Sequence, residues 1–183
     1  MLTTTENTVN PMECTDWNAD ILAEYIFNIH HAYVRRNLPV ITAYACKLNR
    51  AHGEDHPELR LIKRLSDEFS SALTEHIAKE EGILFPYIKE LVKAGKGGTH
   101  QRRIQTMRRA VNVMETEHGS MVGLIREIAH LCNDYTLPKD ACATYSAFYK
   151  MLAEFENDLR IHIHLESNIL FPKELQLEGD GDY

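Results

Sequence analysis

The chain has 183 residues, 44% of them hydrophobic, which suffices for one domain with a sizeable buried core. No apolar run is long enough to cross a bilayer, and the polar N-terminus lacks the basic and apolar stretches of a secretion signal. The net charge of −7 argues against general binding to nucleic acids or membranes, and four scattered cysteines without a CxxC pair indicate free thiols, so we expect a cytoplasmic protein.

The sequence of the first half of the chain predicts two helices after a flexible polar arm at residues 1–14. An apolar stripe of helical spacing begins after Asp16. We expect this first helix to kink or break at Pro39, because proline lacks the backbone N–H that a helix interior uses. The second helix opens near Pro57, a residue suited to a first turn, and continues in kinked form past Pro86.

The second half of the chain predicts two further helices, over roughly 99–133 and 138–175, followed by a disordered acidic tail at 177–183. No segment shows sustained alternation of apolar and polar residues, so we expect no strands. Four long helices with short connections predict an all-α fold. We expect an antiparallel, up-down-up-down four-helix bundle over residues 15–176.

The most informative feature of the sequence is an internal repeat. Residues 76–86 read HIAKEEGILFP and residues 162–172 read HIHLESNILFP, so both copies fit the pattern H-I-x-x-E-x-x-I-L-F-P. Another histidine precedes the first copy by 45 residues and the second copy by 44 residues. The chain is therefore predicted to consist of two helical hairpins built on one plan.

The spacing within each copy favours a metal site. Residues four apart on a helix share a face, so each copy can present an imidazole and a carboxylate to one point in the bundle core. The upstream histidine of each hairpin can face the same centre, although His30 competes with His31 for this position. The predicted ligands are His31, His76, Glu80, His118, His162 and Glu166. Four imidazoles and two bridging carboxylates suit two ions, and the absence of thiolate favours iron or manganese over structural zinc.

A simpler interpretation of the repeat competes with this one. A single His-x-x-x-Glu on a helix is most often a surface ion pair, and a repeated ILFP could reflect packing after duplication. Packing, however, does not require a histidine and a glutamate at matched inward positions. Burying several such groups without partners would cost several kcal/mol each, so we favour the metal interpretation.

Four pieces of the sequence resemble the hemerythrin-like HHE domains, and more narrowly the RIC family (repair of iron centres). The pieces are HHAYVRRNLP (30–39), H-x3-EE-x-x-ILFP (76–86), METEH (114–118) and H-x3-E-x-x-ILFP (162–172). Together they represent a resemblance over roughly residues 17–175. The resemblance implies a hemerythrin-like bundle, a non-haem di-iron centre, and a role in restoring iron–sulfur clusters damaged by nitric oxide or oxidants.

The resemblance also bears on individual residues. It selects His31 over His30 and implies His52 as a seventh metal ligand. His52 could reach the same centre only if the chain bends back after Pro39, because 21 residues of straight helix span about 30 Å. Glu117 is similar to a carboxylate that the family places near the iron pocket, although a solvated surface glutamate is an equally simple interpretation.

Two departures from related families matter. Many RIC proteins begin with a small domain that carries a Cys-Cys pair; this sequence has no such pair, and Cys14 is the thiol nearest its start. If that domain delivers iron or docks a client, this protein needs a partner for that step or does a different job. Classical hemerythrins place two histidines close together on the third helix, whereas His118 has no such neighbour, which favours the RIC branch.

Glu81, beside Glu80, is expected to face solvent.

The ligand set leaves room for an oxo or hydroxo bridge and for a small ligand such as O2 or NO at two non-haem iron ions. We therefore expect a stress-response protein that supports iron–sulfur cluster repair by iron donation or by redox chemistry resembling nitric oxide reduction. Its expected partners are damaged iron–sulfur proteins or a thiol-bearing protein, not nucleic acid or membrane. The main alternative is a hemerythrin-type protein that binds or senses oxygen, and a third is an iron-storage or peroxide-consuming bundle.

Overall fold

The computed structural model describes residues 11–94 and 101–179. Its regular elements are a 3-10 turn at Pro11–Cys14 and the α-helices α1 (Ala19–Ile26), α2 (Ala32–His52), α3 (Glu58–Lys79), α4 (Phe85–Ala94), α5 (Gln101–Leu131), α6 (Ala143–Leu165) and α7 (Phe171–Gly179). Three π-helical turns join these segments without a break, at Phe27–His31, Glu80–Leu84 and Glu166–Leu170. The described chain therefore forms four long helices, namely α1–α2, α3–α4, α5 and α6–α7.

The four long helices form an antiparallel bundle in which each packs against two others. α2 contacts α3 and α6, and α5 contacts the same two helices from the opposite side. α1, at the start of the first long helix, contacts α4 at the end of the second, so these neighbours run in opposite directions. The predicted all-α, hemerythrin-like bundle is confirmed, and the described residues contain no strand.

The first helix does not break at Pro39, because α2 runs through this residue, and the alternative expectation of a kink stays a prediction. Proline removes a single backbone hydrogen bond, and Pro39 lies on the exposed face of the helix. On the opposite face, Leu38 and Ile41 are buried in the core and stabilise the helix on both sides of Pro39. Near Pro86, where a kink was also predicted, the helix passes through the π-turn at Glu80–Leu84.

The predicted arm and tail lie partly outside the described residues. The last part of the arm, Pro11–Cys14, forms a 3-10 turn, and the side chain of Cys14 is fully buried. At the other end, α7 continues to Gly179, beyond the predicted start of the tail. Regular secondary structure therefore runs from Pro11 to Gly179, and the bundle limits of 15–176 stay a prediction. Among the residues described, no helix combines the length and apolar character needed to span a membrane.

The core consists of two apolar clusters with a polar layer between them. Each long helix passes from one cluster to the other at a histidine that the sequence predicts as a ligand. The flanking apolar pairs are Ile26 and Val34, Leu73 and Leu84, Met114 and Met121, and Leu159 and Leu165. The four histidines therefore meet at one level of the bundle, and apolar side chains exclude water above and below them.

Candidate metal centre

Six buried side chains converge in the polar layer. They form two groups that could each hold a cation: His31, Glu80, His162 and Glu166 in one group, and His76, Glu80, His118 and Glu166 in the other. The potential ligand atoms of each group lie within 4.8 Å of one another. The two glutamates belong to both groups, so the layer contains two adjacent cation positions rather than one.

Each glutamate spans both positions with its two oxygens. Glu80 Oε2 lies 3.3 Å from His31 Nε2, and Glu80 Oε1 lies 3.4 Å from His76 Nε2. Glu166 Oε1 lies 2.8 Å from His162 Nε2, and its Oε2 lies 3.1 Å from His118 Nε2. A carboxylate that offers one oxygen to each of two imidazole pairs has the geometry of a bridging ligand.

The helix geometry positions these ligands. Glu80 and Glu166 are the first residues of matched π-turns, and His31 is the last residue of the third π-turn. A π-turn widens the helix by one residue and commonly occurs at functional sites. The turn therefore changes the direction of the helix at the point where its side chains enter the polar layer.

Three of the four imidazoles are fixed through their outer nitrogen. His31 Nδ1 pairs with Glu81 Oε1 at 2.9 Å, His76 Nδ1 pairs with Glu117 Oε2 at 2.9 Å, and His118 Nδ1 pairs with Ser167 Oγ at 3.1 Å. When Nδ1–H donates to such a partner, Nε2 keeps its lone pair for a metal. Ser167 occupies the position in the second repeat that Glu81 occupies in the first.

The fourth imidazole is held differently. The Nδ1 atom of His162 is buried and has no hydrogen-bond partner among the described residues. Its ring stacks on that of His30, with centroids 5.7 Å apart and planes 14° from parallel. His30 is itself buried and pairs through Nδ1 with Asp158 at 3.1 Å, so it does not join the cluster that contains His31.

Two aromatic residues of the repeat cover the centre. Phe85 stacks on the imidazole of His31, with centroids 5.3 Å apart, and Phe171 stacks on that of His118 at 5.9 Å. Both phenylalanines come from the ILFP segment that ends each copy of the repeat. The repeated segment therefore contributes to packing, but its packing partner is a histidine of the cluster.

The buried carboxylates favour positive charge at the centre of the layer. Burial alone would lower the pKa of His31, but the carboxylates of Glu166 and Glu80, 3.8 and 3.3 Å from its Nε2, outweigh burial and raise the pKa to about 10. Burial likewise opposes a shift at His76, where Glu80 is the main cause of a pKa raised to about 9. A divalent cation supplies positive charge at the same point and displaces such protons when it binds.

The donor set fits metal ions better than it fits a network of hydrogen bonds. His76 Nε2 and His118 Nε2 face each other at 3.0 Å, and His31 Nε2 and His162 Nε2 at 3.2 Å. Neither oxygen of the fully buried Glu80 accepts a well-formed hydrogen bond. Opposed ring nitrogens can share only one proton, whereas a cation between them binds both and also satisfies the carboxylates.

The contact between Glu117 and the Nδ1 atom of His76 can be tested by mutation. Burial on its own would raise the pKa of Glu117, but hydrogen bonds from Lys79 and His76 outweigh this and keep the carboxylate ionised. We expect Glu117→Gln to weaken metal binding by about 10- to 100-fold, because it loosens the orientation and lowers the basicity of His76. Competition of the protein with a ferrous chelator measures this change.

The matched control for Glu117→Gln is Glu115→Gln, because Glu115 is an exposed glutamate on the same helix. Its substitution removes the same charge without touching a histidine of the cluster. Equal loss of affinity in both variants would contradict an orienting role for Glu117 and would indicate a general effect of charge.

The environment of Glu81 differs from the one predicted from the sequence. It does not simply face solvent beside Glu80; its carboxylate is about a quarter exposed and contacts His31 Nδ1 and the guanidinium of Arg35. The π-turn that begins at Glu80 turns the next residue back toward the first helix. The sequence signal for this role of Glu81 was its alignment with Ser167 in the second repeat. The signal was weak because a glutamate carries a charge and a serine does not.

The structure does not bring His52 to the cluster. His52 is the last residue of α2, and 21 residues of continuous helix from His31 span about 30 Å. Its Nε2 instead lies 3.3 Å from the sulfur of Cys142. α2 continues past Pro39 without a break and His52 is not among the residues of the cluster, so the expectation that His52 serves as a seventh ligand is corrected.

Measurement of the iron content distinguishes His52 as a metal ligand from His52 outside the metal centre. We expect His52→Ala to retain two iron ions per chain, because no atom of the cluster contacts this residue. We expect His31→Ala to lose at least one ion, because it removes an imidazole from one of the two positions. Metal analysis after anaerobic reconstitution measures both variants, and selective loss of one iron from His52→Ala would restore the seven-ligand expectation.

Comparison with known proteins agrees with this geometry. Residues 22–173 match the hemerythrin HHE cation binding domain family. The chain is 35% identical to the iron-sulfur cluster repair protein YtfE of Cronobacter sakazakii, over 90% of this chain and 71% of that protein. It is 36% identical to the protein of the same name from Escherichia coli O157:H7, over 87% of this chain and 69% of the relative.

Proposed function

This chain belongs to the hemerythrin HHE family, and from that premise we propose that it supports the repair of damaged iron–sulfur clusters as a di-iron protein. The observation that carries the proposal is the pair of adjacent cation positions bridged by Glu80 and Glu166, in a chain whose similar relatives are named iron-sulfur cluster repair proteins. The family and the buried donor set together identify two iron ions as the cofactor.

The six predicted ligands would leave part of each coordination shell open. Each position would receive two imidazoles and one oxygen from each of two carboxylates, which is fewer donors than the six that iron commonly accepts. Bound iron supplies ferrous–ferric redox chemistry and open positions for small ligands such as NO or O2. The apolar clusters on both sides keep bulk water from those positions.

Iron donation is the route that the surroundings of the ligands support. His31 connects through Glu81 to Arg35, and His76 connects through Glu117 to Lys79. The carboxylates are about a quarter exposed, and both cations lie at the surface. These two polar connections provide places where proton gain at a histidine could loosen a ligand without opening the apolar layers.

The thiols support a proposal for the compartment. The four cysteines all lie within the described residues and none of them forms a disulfide, as is usual where proteins stay reduced. We place the protein in such a compartment, with the cytoplasm as the simplest choice. Its proposed clients, iron–sulfur proteins that have lost iron, would be met there.

The test follows labelled iron. The protein is loaded anaerobically with two ⁵⁷Fe ions and mixed with an iron–sulfur dehydratase whose cluster has lost iron, in the presence of a chelator that removes free iron. We expect the label to appear in the client cluster and dehydratase activity to return. Glu80→Ala should fail to support this transfer, whereas Glu75→Ala, an exposed glutamate on the same helix, should support it.

Other outcomes of this experiment identify the alternatives. If the label stays in place while NO is consumed in the presence of a reductant, the site acts by redox chemistry rather than by donation. If air produces a stable oxygenated form and no client recovers under either condition, the protein is an oxygen binder and the repair proposal fails.

A further inference from the structure

A second reactive cluster lies where the first long helix ends and the fourth begins. Cys142 is the residue that precedes α6, and its partly exposed sulfur lies 3.3 Å from Nε2 of His52, the last residue of α2. This pair belongs to no part of the metal centre. A cysteine sulfur in contact with an imidazole nitrogen is the arrangement in which a thiol gains thiolate character.

Further charged and aromatic groups surround the pair. The imidazoles of His52 and His56 both meet the ring of buried Tyr145 edge-on, at centroid distances of 5.9 and 5.6 Å. His56 is fixed at both nitrogens, through Nδ1 to Glu58 at 3.1 Å and through Nε2 to Asp140 at 3.0 Å. The cluster therefore joins groups from the first, second and fourth helices and from the loop before α6.

The four cysteines of the chain differ in environment. Cys14 and Cys132 are buried, and burial raises the pKa of both thiols, that of Cys132 to about 12. The pKa of Cys142 is instead lowered to about 7, first by a hydrogen bond from the backbone amide of Tyr145, against weak desolvation, and then by His52. A partly exposed thiol with these partners is available for reaction near neutral pH.

We propose that Cys142 and His52 form a nucleophilic thiolate site that exchanges with small disulfides. The Cys142 thiolate attacks one sulfur of a low-molecular-weight disulfide, a new S–S bond forms to Cys142, and the other half of the disulfide leaves as a thiolate. His52 Nε2–H donates a hydrogen bond that stabilises the attacking sulfur. The product is a mixed disulfide that any small thiol reverses by the same reaction.

This site is independent of the function proposed for the metal centre. The continuous helix that connects His31 with His52 separates the two by about 30 Å. Neither Cys142 nor His52 contacts any of the six residues of the cluster. Its chemistry can therefore be measured without reference to iron content or repair activity.

The experiment measures the reaction of the folded, full-length chain with 4,4′-dithiodipyridine, a small neutral disulfide, and identifies the modified cysteine by peptide mass mapping. We expect Cys142 to react first. At pH 7 a thiol with a pKa of about 7 is half ionised and one with the ordinary value of 9.0 about 1% ionised, but the lower pKa reduces nucleophilicity about tenfold. At pH 7 we therefore expect Cys142 to react about fivefold faster than the cysteine of an unstructured peptide. Above roughly pH 8 we expect the peptide to react faster.

Variants assign the reaction to the pair. Cys142→Ser should remove the fast phase, and Cys46→Ser, at another partly exposed cysteine, should retain it. His52→Leu should move the rate–pH profile of Cys142 to higher pH, whereas His130→Leu, at an exposed histidine on α5, should not. Circular dichroism establishes that each variant is folded before its rates are compared.

Two results would overturn the proposal. The first is mass mapping of the wild-type chain that shows another cysteine modified before Cys142, a result that depends on no variant. The second is a rate–pH profile for Cys142 that coincides with that of the unstructured peptide.

Discussion

Glu80→Ala is expected to reduce iron binding from two ions per chain to one or none, and to abolish magnetic coupling between the ions. The carboxylate contacts one imidazole of each cation position, so its loss removes a donor from both positions and one of the two bridges between them. Loss of a residue that only orients a ligand costs about 10- to 100-fold in metal affinity, and loss of a bridging ligand should exceed this. Metal analysis and Mössbauer spectroscopy of the reconstituted protein measure both effects.

The geometry provides two controls for this result. Glu166→Ala should behave like Glu80→Ala, because Glu166 spans the same two positions from the fourth helix. Glu75→Ala should behave like the parent protein, because Glu75 is exposed on the same helix as Glu80. A coupled iron pair that survives in Glu80→Ala would show that this carboxylate is not a bridge.

Iron loading is expected to raise the melting temperature of the protein by about 10–20 °C. A ligand present at a hundredfold excess over its Kd stabilises the folded state by about 2.7 kcal/mol per site, and the layer has two sites. For a chain of this size, each kcal/mol corresponds to about 2–4 °C. The iron also relieves the cost of burying two carboxylates among apolar side chains. Anaerobic calorimetry of iron-free and iron-loaded protein measures the difference.

Glu80→Ala also serves as the control for this second experiment. It should show a much smaller shift with iron, since the centre that links iron binding to folding is disrupted. An equal rise in both proteins would mean that iron stabilises the chain at some other place, and no rise in the parent protein would contradict binding in the polar layer.

The repeat explains why so much of the site could be predicted from the sequence. An identical pattern in two copies placed His76 with Glu80 and His162 with Glu166, and the matched upstream spacing added a histidine from each preceding helix. Helix periodicity then puts all of them at one level of an antiparallel bundle. The structure brings the six predicted side chains together at that level.

The remaining features depend on interactions that a one-dimensional pattern does not contain. Pro39 was expected to interrupt its helix, but tertiary packing of Leu38 and Ile41 outweighs the loss of one hydrogen bond. Because the helix continues through Pro39, His52 lies far from the centre. The role of Glu81 depends on a π-turn, and the sequence signals a π-turn only as a departure from regular helix spacing.

The placement of the six ligands on four different helices also has a consequence for the topology of the chain. A pair of metal ions bound by residues between His31 and Glu166 would join distant points of the chain, as a cross-link does. It would thereby divide the chain into closed loops. Closed loops reduce the conformational freedom of the unfolded chain, and longer loops reduce it more. The two ions would therefore act as one reversible cross-link of all four helices, so departure of iron would loosen the whole chain at once rather than a single loop.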